Sequence, residues 1–193
     1  MQYISTYWRE ILAIFSVVIG IFGYVWYFQS IFVWKTKPHL YSWWNWTFVG
    51  IVAAVAQFYG GGGVGTSMLI FTAIICGVVT FLAFRYGERS GDHIDIGSVI
   101  LAVLAIGAWA YTSDPLYATL FATSADLVAY IPTLRKVWRS PGSEPFSYYM
   151  ISSLKHWLAL ASLALYSTTT MLFSSSVIVI NFVILAIIFF RKK

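Results

Sequence analysis

The sequence predicts an all-α integral membrane protein with seven transmembrane helices. Three observations carry this. The chain has 193 residues, of which 60% are hydrophobic and only 10% charged, whereas a soluble domain carries about a quarter charged residues. Its apolar stretches are continuous and separated by short polar or glycine-rich breaks, which suits helices of about 20 residues and not the alternating strands of a β-barrel. Its basic residues alternate along the chain between loops that carry them and loops that lack them. Seven spans consume about 140 residues, so no room remains for a nucleotide-binding or other soluble module.

The elements follow in order. The first helix is expected near Ile11–Trp34 and the second near Trp43–Tyr59. The third runs near Gly65–Phe84, after the glycine run Gly60–Gly63, which reads as a flexible outer turn. The fourth runs near Ile96–Thr112, and the fifth near Leu116–Lys136. The sixth and seventh run near Ser147–Tyr166 and Leu172–Phe190, parted by the polar stretch Ser167–Thr170. Lys35, Lys37, Arg85, Arg89, Arg135, Lys136, Arg139, Arg191, Lys192 and Lys193 all fall on one side of this layout, with Arg9 opposite them. Because basic loops stay in the cytoplasm, the N-terminus is placed outside and the C-terminus inside. A prokaryotic inner membrane suits the compact loops. The net charge of +5 is thereby assigned to orientation, not to nucleic acid.

An internal repeat organises the chain. Tyr27-Phe28-Gln29-Ser30, Lys37-Pro38 and Tyr41-Ser42-Trp43 align with Tyr130-Ile131-Pro132-Thr133, Ser140-Pro141 and Phe146-Ser147-Tyr148, offset by 103 residues before the loop and 105 after it. The serine in each aromatic-Ser-aromatic start is expected to cap its helix. The repeat divides the chain into a first three-helix bundle (1–85), a linker helix (86–114) and a second, parallel three-helix bundle (115–193). Parallel repeats of this kind are a transporter architecture with the solute site near the midplane.

This 3+1+3 layout and the Tyr-x-Pro-x-Leu…basic…Pro…Phe-Ser pattern resemble the PQ-loop superfamily, which includes the SWEET sugar transporters and the half-size SemiSWEETs. The chain departs from the namesake dipeptide: Gln29-Ser30 lacks the proline, and Pro132-Thr133 lacks the glutamine. The resemblance implies alternating access by a facilitator or secondary carrier of a small polar solute such as a sugar. It also implies Ser153 and Trp157 as a solute grip, Asn181 as a polar contact, and Pro132, with Gln29 and Ser30, as hinge or gate. Related vitamin and proton-coupled amino-acid carriers are the alternative, and a non-transporting scaffold or receptor subunit is a third reading.

Charged residues at the membrane centre are costly and usually functional. Asp126, ten residues before Lys136, and Lys155, eight after Ser147, lie at similar depth. Their repeat counterparts are Gly23 and Gly50. The pair is expected to face a central cavity and to pair, bind solute or relay a proton. Asp126, Tyr130 and Thr133 share a helical face, mirrored by Gly23, Tyr27 and Ser30. His156 adds an ionisable neighbour, whereas His39 and His93 read as solvated loop residues. No nucleophile–base set that would mark an enzyme is evident. Asp92-His93-x-Asp95 lacks a second ligand set, and no metal or other cofactor is implied. The expected partners are therefore the solute, a coupling proton, the lipid bilayer and a second copy of the chain.

Overall fold

Helix is the regular structure throughout the computed structural model, which describes residues 2–33, 37–89, 93–141 and 146–191. Eight α-helices are present among these residues: α1 (Gln2–Phe32), α2 (Leu40–Tyr59), α3 (Ser67–Tyr86), α4 (His93–Thr112), α5 (Pro115–Ala129), α6 (Ile131–Arg139), α7 (Phe146–Ala161) and α8 (Thr168–Arg191). A short 3-10 turn, Gly63–Thr66, leads into α3. The eight reduce to the expected seven because α5 and α6 are one predicted helix broken at Tyr130. Tyr130 N–H still donates to the carbonyl of Asp126 at 3.2 Å, and Leu134 N–H to that of Tyr130 at 2.9 Å. Pro132, between them, has no N–H to give, which removes one rung of the helix. The Gln29–Ser30 stretch of α1 has no such residue and stays helical.

Among the described residues, three stretches are long and apolar enough to cross a membrane: Tyr7–Gln29, Gly63–Tyr86 and Thr168–Arg191. Their outward surfaces fit that solvent. Phe22, Ile74, Phe81, Val179 and Phe189 are all exposed, as side chains facing lipid can be at no cost. The α5 helix, at 15 residues, is only about 22 Å long at 1.5 Å per residue, and α6 continues it beyond the break at Tyr130.

Packing gives each helix its neighbours. α1 packs on α3, and α3 on α2; α5 packs on α8, and α8 on α7. α1 also meets α7, and α2 meets α5, while α4 lies against α5 and α2. The main core is built from small residues. Ala53, Ala56, Ala118, Ala122, Ala125 and Ala159 are buried together with Met68, Phe173 and Val177. Small side chains allow close backbone approach where van der Waals packing replaces the hydrophobic drive. Asp114 starts α5 by accepting from Leu116 N–H at 2.9 Å, with Pro115 at its first position.

Two local expectations are corrected. The cap of α2 is His39, not Ser42: the imidazole Nδ1 lies 2.9 Å from Ser42 Oγ and accepts from its N–H at 3.4 Å. His39 is thus a half-buried structural residue, tied further by Leu40 N–H to Glu88 C=O (2.9 Å) and Glu88 N–H to Pro38 C=O (2.9 Å). The glycine run is not a free turn. Gly61 and Gly63 adopt left-handed backbone with φ of +85° and +59°, where glycine is the residue that fits without strain. A Cβ at Gly65 would lie 2.8 Å from Leu163 N, and one at Gly63 2.7 Å from Ala164 Cβ. Gly62 C=O accepts from Ala164 N–H at 3.0 Å. The run is a clasp joining the α2–α3 connection to the α7–α8 connection.

Candidate functional site

The site is assembled by α5, α7 and α8, and hydrogen bonds fix their register. Thr119 Oγ1 of α5 donates to Thr169 C=O of α8 at 3.3 Å. At the other end Arg191 of α8 stacks 4.1 Å from the Trp138 ring of α6. The two helices therefore run side by side in the same direction. On α7, Ser152 Oγ accepts from Asn181 Nδ2 at 3.1 Å, which sets α7 level with the middle of α8. With a rise of 1.5 Å per residue, Asp126, His156, Ser153 and Asn181 fall within about two turns of one another in depth.

All four are buried: Asp126 is 4% exposed, Ser153 4%, His156 4% and Asn181 0%. Each keeps an atom without a protein partner, namely Asp126 Oδ2, Ser153 Oγ, His156 Nδ1 and Asn181 Oδ1, and Thr123 Oγ1 and Ser174 Oγ do the same. A buried polar group left unbonded costs about 1–3 kcal/mol, and these six atoms on α5, α7 and α8 each keep that hydrogen-bonding capacity open. The chemistry on offer is one carboxylate, one imidazole nitrogen, one amide oxygen and three hydroxyls. That set has the chemistry to hydrogen-bond hydroxyl or N–H groups.

Lys155 is also buried, but it turns to α1. Its Nζ sits 5.2 Å from the centroid of the Tyr24 ring, and its Cδ lies 4.0 Å from where a Cβ on Gly20 would be. A cation over an aromatic face is attracted by the ring quadrupole. The glycine leaves the lysine stem room to cross. Among the described residues Asp126 and Lys155 form no ion pair: Asp126 Oδ2 has no partner, and the lysine is held by the tyrosine. Both lie within Coulombic reach of Cys76 on α3, whose Sγ is 3.8 Å from Tyr24 Oη. Both groups thus approach the same part of α3.

The other expected residues divide. Tyr27 accepts from the indole N–H of Trp43 at 3.0 Å, their rings 4.8 Å apart, which makes it a packing residue between α1 and α2. Tyr130 packs against Val137, Tyr149 and Ile184 at the break between α5 and α6, one turn below Asp126. Trp157 is 54% exposed and points away from the cluster, although its i, i+4 partner Ser153 points in. The edge of the buried stripe of α7 falls between them. Gln29 is exposed on α1. Pro132 lies at the helix break, and Ser30 lies within α1. Asp92 lies outside the described residues, as do Trp34, Lys35, Lys192 and Lys193.

Sequence reading missed Thr123, Ser152 and Ser174. The signal was present as Thr119, Thr123 and Asp126 at i, i+4 and i+7, one stripe of α5. Comparison with protein-family models, with curated proteins and with solved structures finds no match to this chain.

Proposed function

We propose that this protein is a membrane carrier for a small polar solute, of the SWEET-like 3+1+3 kind, working by alternating access between two three-helix halves. The observation that carries the reading is the set of unpartnered, buried polar atoms on Asp126, Ser153, His156 and Asn181 within about two turns of depth. A scaffold would gain stability by closing those groups on one another. The helix packing supports it, since α1–α3–α2 and α5–α8–α7 repeat one order and the halves exchange partners, α1 with α7 and α2 with α5. In this reading Asp126 and Asn181 hold the solute, Lys155 supplies the opposite charge across the interior, and the break at Pro132 is the bend about which the second half moves.

The test is a thermal-shift screen of purified protein with sugars, amino acids, nucleosides and vitamins, with Asp126→Asn alongside. A solute that raises the melting temperature of the wild type and not of the variant supports the carrier. No shift with any solute overturns it in favour of a scaffold or receptor subunit. The proton-coupled amino-acid or vitamin carrier is the form this reading takes if the stabilising solute is charged.

A further inference from the structure

The short helix α6 has two faces of different kind. Val137 is fully buried against Ile184, Leu185 and Ile188 of α8, and Leu134 packs beside it. Arg135, Lys136, Trp138 and Arg139 are exposed. At about 100° of turn per residue, Trp138, Arg135 and Arg139 follow one another around that exposed arc. Among the described residues α6 packs on α5 and α8 and on no other helix, so the buried Val137 fixes its height along α8. That height is the end of an apolar span. Thr168–Arg191 is long and apolar enough to cross a membrane, and the Arg191 guanidinium at its end lies 4.1 Å from the centre of the Trp138 ring. Phe189 and Phe190, just inside it, are exposed.

Stacking uses the face of a guanidinium and leaves the N–H groups of its edge for a phosphate or carboxylate. Arg89 shows the other use of those donors: it gives one to Phe84 C=O at the end of α3. Among the described residues Arg135, Arg139 and Arg191 make no hydrogen bond or ion pair. The acid carried by α5, α6 and α8 is Asp126, buried and nine residues before Arg135; Glu144, in the loop after α6, lies outside the described residues. We propose that this corner of α6 and α8 binds an anionic phospholipid, its phosphate held by Arg135, Arg139 and Arg191 and its acyl chains lying along Phe189 and Phe190. Charge complementarity selects the headgroup, since basic clusters beside a span attract anionic lipid and arginine hydrogen-bonds phosphate through two donors at once. The exposed indole suits the same level, where tryptophan meets the headgroups. The two phenylalanines select a lipid over a soluble anion, which would leave them uncovered. The site stands whether the chain is a carrier or a scaffold.

The test is native mass spectrometry of the full chain in detergent, titrated with dioleoyl phosphatidylglycerol and, separately, with dioleoyl phosphatidylcholine. The expected result is tighter binding of the first phosphatidylglycerol than of the first phosphatidylcholine, and a loss of about fivefold or more in that preference in Arg135→Gln with Arg191→Gln. Lys37→Gln with Arg85→Gln removes the same charge elsewhere and should leave the preference unchanged. All four side chains are exposed, so neither pair disturbs the core. Equal losses in the two pairs mean that overall charge draws the lipid, and overturn the site. Absence of any preference in the wild type overturns it as well, and leaves an acidic protein surface as the occupant. No transported solute enters the measurement, so failure of the lipid site and failure of the carrier are separate results.

Discussion

Gly62 and Ala164, more than a hundred residues apart, share a backbone hydrogen bond of 3.0 Å that closes one end of the bundle. Around it the chain packs so tightly that side chains are excluded at four neighbouring glycines. A Cβ would meet Thr169 Cγ2 at 2.9 Å from Gly60, Thr66 Oγ1 at 2.6 Å from Gly62, Ala164 Cβ at 2.7 Å from Gly63, and Leu163 N at 2.8 Å from Gly65.

Gly65→Ala should therefore destabilise. Its new methyl meets backbone, which cannot swing aside, and overpacking of that kind costs about 1–3 kcal/mol. Gly107→Ala in α4, where a Cβ meets nothing within 4 Å, should be neutral or slightly stabilising, since alanine is the better helix former. Melting temperatures of the two variants in one detergent check the contrast.

Tyr27→Phe should lower stability by about 1–3 kcal/mol, because it removes the acceptor of the Trp43 indole N–H and leaves that donor unbonded in the interior. Ala at Gln29, two residues on but exposed, should change stability by no more than about 0.5 kcal/mol. Chemical or thermal unfolding distinguishes them. Equal effects would mean that the two positions are not on opposite faces of α1.

Trp157→Ala should leave solute-induced stabilisation unchanged, because the ring faces outward. Ser153→Val, one turn earlier on α7 and buried with its Oγ unpartnered, should abolish it. The thermal-shift assay with the stabilising solute measures both. Loss of the shift in Trp157→Ala would place the ring in the site.

Asn181→Leu should weaken solute binding and destabilise the apo protein. The side chain is fully buried and donates to Ser152, so its removal strands that hydroxyl, at a cost of about 1–3 kcal/mol. Adding Ser152→Ala should recover part of the stability and none of the binding, which a double-mutant cycle resolves.

Much of the helix plan was legible because lipid imposes long, uninterrupted apolar runs. Six of the seven predicted helices correspond to single helices with shifted ends. The seventh, spanning residues 116–136, is divided at Tyr130, and Pro132 was the visible cause. Burial of Asp126 and Lys155 followed from their apolar surroundings. Their partners did not, because side-chain direction on a helix depends on which neighbour it meets. Lys155 found Tyr24 and the space beside Gly20, and Trp157 fell just beyond the buried stripe. The glycine run misled for a related reason: glycine marks either freedom or close approach, and only the packing partner, Leu163–Ala164, decides which.

Cys76 has a practical consequence. It is the chain's single cysteine, and it lies 3% exposed beneath Tyr24, where a labelling reagent cannot reach it. The native sequence thus serves as its own unlabelled background. A thiol introduced at an exposed position such as Tyr111, 92% exposed, would be the one site modified, so fluorescent or spin probes can report on the protein without first stripping a residue from its interior.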